Sequence, residues 1–110
     1  MKSAETVSLN QLTALADPTR HALLRLLRRK KLTVGELAAQ LPVSRPAVSQ
    51  HLQVLSAANL VKENREGTRH YFSLNPEGFT QLHAYIASMW QDALDSFSAF
   101  VAKTESRKRK

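Results

Sequence analysis

Apolar positions along this chain recur at helical spacing, break into two short strand-like runs, and then return to helical spacing. Leu9, Leu12, Leu15 and Ala16 mark one side of a short helix over residues 8–16, with Ser8 placed to cap it. Asp17 and Pro18 restart the chain as an N-cap and a first-turn proline, where a missing N–H costs nothing. The helix they open is expected to reach about Arg29 and to bury Leu23, Leu24, Leu26 and Leu27. Thr33 with Glu36 is a capping-box pattern that starts a third helix, its inward side being Val34, Leu37, Ala38 and Leu41. Pro42 stops it, because the residue before a proline is pushed out of the helical region. Ser44 can cap a fourth helix over residues 44–57, with Pro46 tolerated in its first turn and Val48, Leu52 and Leu55 as its buried stripe. LVKENR and RHYFSL then read as two strands around Glu66, Gly67 and Thr68, Gly67 supplying the positive φ of a tight hairpin. Pro76 opens a last helix that should continue to about Ala102.

The third and fourth helices, joined by a tight turn, have the layout of a helix-turn-helix with residues 44–57 as recognition helix. Arg45, Ser49, Gln50 and Gln53 fall opposite the buried stripe and include no carboxylate, a set suited to base edges and phosphates. His51, one residue before buried Leu52, suits a phosphate contact. Two ordinary amphipathic helices are the plain alternative. The following hairpin carries Lys62, Arg65 and Arg69 with Thr68 at its tip, and must lean on the helices through Leu60, Val61, Phe72 and Leu74. A basic hairpin directly after a recognition helix reads as a wing, against the alternative of a charged hairpin of no consequence. The candidate DNA-binding residues are therefore Ser44, Arg45, Ser49, Gln50, His51, Gln53, Arg65, Thr68 and Arg69.

The last helix presents Phe79, Leu82, Ile86, Met89, Ala93, Phe97 and Phe100 in a seam close to a heptad pattern. Tyr85, Trp90, Leu94 and Val101 widen the seam beyond what one small domain can cover. A second copy of the chain is the economical partner, with the N-terminal helix joining the interface. Its expected residues are Leu9, Leu12, Phe79, Leu82, Ile86, Met89, Trp90, Ala93 and Phe97. A two-fold dimer would place two recognition helices in successive major grooves, about 34 Å apart, on a palindromic site. The expected fold is thus mainly α with a small β-hairpin, a winged helix-turn-helix that dimerises through its terminal helices.

Charge sharpens this division of labour. The 110 residues carry a net charge of +7, and residues 20–69 hold ten Lys and Arg against three acids. Residues 76–102 hold Glu77, Asp92 and Asp95 and no basic side chain. One half suits a polyanion; the other suits something else. We expect residues 1–102 to form a DNA-binding and dimerisation domain, and residues 103–110, KTESRKRK, a disordered basic tail that is solubilising or adds phosphate attraction. With no cysteine, a disulfide framework or thiolate metal site is excluded. No apolar run approaches a membrane span and no signal-peptide core stands at the N-terminus, so a cytoplasmic protein is expected. Neither a nucleophile–base pattern nor a Gly-rich phosphate loop points to an enzyme.

In LADPTRHALLRLL (15–27), LTVGELAAQL (32–41), SRPAVSQHLQVLSAANLV (44–61) and REGTRHYFSL (65–74), the chain closely resembles the ArsR (ArsR/SmtB) family of bacterial transcriptional repressors. The resemblance implies a homodimer that blocks promoter access and is released by an inducer. It departs from the founders at their metal sites. The cysteine positions of arsenic-responsive members fall here on Thr33, Gly35 and Ala38. The zinc-site positions of the last helix fall within a residue or so on Pro76, Gly78, Met89 and Asp92, of which only Asp92 can ligate. His21, His51, His70 and His83 read as structural or surface residues, so no metal and no cofactor is expected. The partners expected are double-stranded DNA, a second copy, and a small-molecule or protein inducer, unless abundance alone regulates. A nucleoid-type or protein-interaction winged helix without sequence preference is the alternative. The aromatic last helix could line an inducer pocket, and core packing explains it equally well.

Overall fold

The computed structural model describes residues 3–108, with side chains as far as residue 106. The described elements are α1 (Ala4–Ala16), α2 (Pro18–Leu27), α3 (Val34–Ala39), α4 (Arg45–Ala57), β1 (Val61–Glu66), β2 (Arg69–Leu74) and α5 (Pro76–Lys108). Local chemistry sets most boundaries. Asp17 accepts from the Thr19 and Arg20 backbone N–H groups at 2.9 and 3.1 Å, starting α2. Thr33 and Glu36 exchange side chain-to-backbone bonds of 3.1 and 3.0 Å, the reciprocal box that opens α3. Ser44 accepts from the Ala47 N–H at 3.3 Å at the start of α4. The first helix departs from expectation: it begins at Ala4, capped by Ser3, which accepts from the Thr6 N–H at 3.2 Å. Ser8, expected as the cap, is instead a buried residue within the helix.

One core joins these elements. Leu23, Leu24 and Leu27 of α2, Leu37 of α3, and Val48, Leu52 and Leu55 of α4 pack with Leu32, Leu60 and Val61. The α2 and α4 stripes read from spacing lie in this core except Leu26, which is half-buried, whereas α1 buries Ser8, Gln11 and Ala14 and leaves Leu9 exposed. Val34, Ala38 and Leu41, expected inward, sit half-buried at its margin, because a helix of 6 residues turns little of its surface inward. The hairpin pairs Val61 with Leu74 through Glu66 with Arg69, and Gly67 has φ +64°. Glycine at the first of two central residues suits a type II′ turn. Leu32 adds an isolated antiparallel bridge to β2, exchanging bonds of 3.0 and 2.8 Å with Phe72. The wing is thereby stitched to the segment before α3.

The α4 end is a Schellman motif. Leu60 N–H donates to the Leu55 carbonyl at 2.9 Å, and Asn59 N–H to Ser56 at 3.0 Å. Asn59 takes the left-handed conformation, φ +64°, which asparagine tolerates better than most residues. Asn75 caps α5 by accepting from the Glu77 N–H at 3.2 Å. In the next turn Gly78 lies against that corner so closely that a Cβ there would be 1.7 Å from the Asn59 carbonyl oxygen.

From there α5 runs for 33 residues, about 50 Å at 1.5 Å per residue. The radius of gyration is 19.7 Å, against about 13 Å for a compact chain of this length, so the helix leaves the body of the domain. It continues past Ala102 to Lys108, correcting the expectation of a disordered tail from residue 103: the added residues contain no glycine or proline to stop a helix. Arg109 and Lys110 of that tail lie outside the described residues.

Two predictions follow from these joints. By helix propensity alone Gly78→Ala should stabilise α5 by about 1 kcal/mol. The missing space at Asn59 reverses the sign, so urea unfolding should find the variant less stable than wild type. The second concerns acid. The Arg20 and Thr19 backbone bonds hold the Asp17 carboxyl below its usual pKa, and the Thr33 backbone and hydroxyl do the same for Glu36. A depressed folded-state pKa gives stability that is complete above the ordinary carboxylate range and is lost as pH falls through the lowered value. The melting temperature should therefore drop on acidification below about pH 4, and less steeply in the Asp17→Asn, Glu36→Gln double variant. An equal slope in both proteins would remove these caps from the acid response.

Candidate nucleic-acid interface

At about 100° per residue, Gln50 and Gln53 lie on the side of α4 away from the Val48, Leu52 and Leu55 stripe, and both are exposed. Ser44 is at the cap and exposed, while Ser49 is half-buried on the flank. Arg45 is exposed too, but its guanidinium lies against α3, where a Cβ on Gly35 would be 2.9 Å from Nη2. Arg45 and Ser49 therefore border the Gln50–Gln53 line instead of extending it.

His51 borders the other flank and is half-buried. Its Nδ1 is 3.4 Å from the guanidinium of Arg20, whose Nε donates to the Ala14 carbonyl at 2.8 Å and which lies 4.0 Å from the Asp17 carboxylate. Sequence reading left Arg20 unassigned, since its link to His51 crosses 31 residues. It also passed over Val54, which is 44% exposed on α4. Its helical spacing from Gln50 is the signal in the sequence that places it on this face.

The wing's charges sort themselves. Lys31 pairs with Glu66 and sits 5.0 Å over the Tyr71 ring. Glu63 pairs with His70. Among the described residues, Lys62 and Arg65 have no carboxylate partner and point to solvent with Thr68. The Tyr71 hydroxyl, and then Glu36, raise the pKa of Arg69. A cleft between α3, the start of α4 and β2 brings Arg45, Arg69 and His70 together with Gly35 and Glu36. Two arginines expected to act on separate elements thus converge on one groove wall, which presents positive charge beside the recognition helix.

A second surface is apolar. Ile86, Met89, Leu94 and Leu9 are about half exposed, Trp90 is 68% exposed, and Phe97 and Phe100 are 65% and 67% exposed. Ala93 is exposed among them and Leu12 is half-buried. Leu82 differs from the expected seam, being buried within the protomer at 5% exposure, and Phe79 packs against the core. The first turns of α5 face the domain; the later ones face away from it.

Among the described residues no group of three or more His, Asp or Glu is placed to hold a metal ion. No described helix is long and apolar enough to cross a membrane.

Residues 17–63 match the model of the bacterial regulatory protein, arsR family. The chain is 47% identical over 88 residues to the HTH-type transcriptional regulator Rv2034 of Mycobacterium tuberculosis, covering 80% of this chain and 82% of that one. It is 38% identical over 66 residues to the transcriptional repressor SdpR of Bacillus subtilis, covering 60% and 73%. Among solved structures, a possible transcriptional regulator for arsenical resistance superposes with a TM-score of 0.68 at 46% identity, covering 82% of this chain and 94% of that one. An ArsR-like transcriptional regulator from Rhodococcus sp. RHA1 gives 0.73 at 26% identity, covering 87% and 93%. The exposed α4 face, the pinned basic wing and these likenesses agree: the chain belongs to the ArsR family of bacterial regulatory proteins, DNA-binding transcription regulators and not enzymes.

Proposed function

We propose that this protein is a cytoplasmic homodimeric repressor that occupies a palindromic operator and so blocks promoter access. The observation carrying this reading is the pairing of two surfaces on one protomer. Unneutralised cations and amides border α4 and the wing, and a broad apolar face is left open on α5. In this reading Gln50 and Gln53 address base edges, while Ser44, Arg45, Ser49 and His51 hold phosphates at the groove walls. Arg65, Thr68 and Arg69 carry the wing to the adjacent backbone or minor groove. Leu9, Leu12, Ile86, Met89, Trp90, Ala93 and Phe97 meet their counterparts across a two-fold axis, with Phe79 and Leu82 beneath them. Repression is favoured by relatives such as SdpR, itself named a transcriptional repressor. Residues 1–102 would make up the working unit, and the basic residues after them would add non-specific attraction to DNA. Release would fall to a small molecule or a protein, with no metal and no cofactor involved.

Selection of bound sequences from random DNA would supply the operator. On it, Gln50→Ala should cost about 1–3 kcal/mol, and much less on random duplex. Equal losses on both would leave this helix touching phosphate alone. Arg65→Ala should weaken binding to every sequence and make the salt slope shallower by about one unit. For the dimer, Ile86→Asp sets a charge in the exposed seam. Sedimentation should show monomers for this variant and dimers for wild type at micromolar concentration, with tight operator binding lost alongside. A monomeric wild type that still binds its operator tightly would overturn the architecture.

A further inference from the structure

Where α4 ends, three parts of the chain meet in a polar joint. The Asn59 side chain donates to Gln81 Oε1 of α5 at 3.3 Å and accepts from Asn75 Nδ2 at 2.7 Å. Gln11 of α1, with no exposed surface, donates to the Gly78 carbonyl at 3.0 Å and reaches Gln81 Oε1 at 3.5 Å. Asn75 N–H donates to the Leu60 carbonyl at 2.9 Å, tying the α5 cap to the residue after Asn59. Gly78 closes the gap by backbone contact. The end of the recognition helix is therefore bonded on several sides to the two helices that carry the open apolar face.

A joint this dense exceeds what holding one hydrophobic helix on a core requires. Burial of Leu82 and Phe79 would do that through an attraction that is non-directional and by itself leaves some freedom of tilt. Directional bonds from Asn59 and Gln11 to one acceptor remove that freedom. We propose that Asn59 and Gln81 are positioning residues that fix the separation and rotation of the two recognition helices, and so set which half-site spacing the protein accepts. The proposal rests on the homodimeric operator reading above. Moving a half-site by one base pair shifts it by about 3.4 Å and turns it by about 35° around the DNA axis. A rigid joint cannot follow such a shift, whereas a loosened one can.

The test measures affinity of the full chain for three duplexes: the selected operator, the same operator with one base pair inserted between half-sites, and a single half-site. Asn59→Gly keeps the left-handed corner, which glycine adopts freely, and removes both side-chain bonds. Gln81→Ala removes the shared acceptor, and Gln81→Glu restores an acceptor at the same place. Wild type should lose at least about tenfold on the inserted duplex, the Gly and Ala variants less than about threefold, and Gln81→Glu should behave as wild type. Half-site affinity should stay within about twofold throughout, since no groove contact has changed. Variants as steep as wild type would overturn the proposal, as would Gln81→Glu relaxing like Gln81→Ala. Equal loss on half-site and operator would show that these residues maintain α4 itself and would also overturn it. A wild type indifferent to spacing would instead bring down the operator reading on which the proposal stands.

Discussion

The backbone contact between Gly78 and Asn59 decides how this molecule is put together. Elsewhere side chains interlock and can repack; here a helix and a turn touch main chain to main chain, with no room for a methyl group. The contact requires three conditions at once. Residue 59 must turn left-handed to end α4 and release the chain into β1. Asn75 must cap α5 at the position where its first turn meets that corner. Residue 78 must lack a side chain. With them met, the end of α4 and the first turn of α5 are held together, and Gln11 brings α1 into the same joint.

Electrostatics then set the two surfaces apart. On the side of α4 and the wing, Lys31 and His70 take up Glu66 and Glu63, and the Thr33 cap occupies Glu36, so the local acids are engaged by neighbours. Among the described residues Lys62 and Arg65 are left without a carboxylate partner, and in the proposed reading they steer and hold a duplex without specifying sequence. In the proposed operator reading, sequence discrimination falls to the neutral amides of α4, whose two-pronged hydrogen bonding distinguishes base edges. Along residues 76–102 of α5 no basic side chain is present, so that stretch gains nothing from DNA and offers apolar area instead.

Most of the fold was legible because its rules are local. Asp17–Pro18, Thr33 with Glu36, Ser44 and Gly67 each act within a few residues, and each does in space what its spacing implied. The stripes of α2 and α4 were legible for the same reason, while on α1 the buried side is Ser8, Gln11 and Ala14 and not the leucines. Two local inferences failed where a stronger local signal lay outside the pattern: Ser3 outcompetes Ser8 as the first cap, and α5 continues because nothing interrupts it. The site was less legible. Arg20 with His51, Lys31 with Glu66, and Arg45 with Arg69 across one cleft join residues remote in sequence, and spacing carries no trace of them. Gly78 and Asn59 were hidden more deeply, because a close approach between distant backbones leaves only a glycine and an asparagine in unremarkable company.

The length of α5 gives this rigidity its consequence. A helix of about 50 Å anchored at one end acts as a lever, and a small rotation at the joint becomes a displacement of several ångströms at its far turns. If the exposed seam of those turns meets a second copy, any looseness at Asn59 would be spread between the two halves of the dimer and felt at the recognition helices. Conversely, a ligand or protein that tilts α5 within the dimer must either bend the helix or strain the joint at its base. Strain there acts on the last turn of α4, close to Gln53 and Val54, without touching the groove-reading residues directly. If α5 is the seat of regulation, a long helix bonded at its base to the end of α4 would be enough to carry the signal without a dedicated relay.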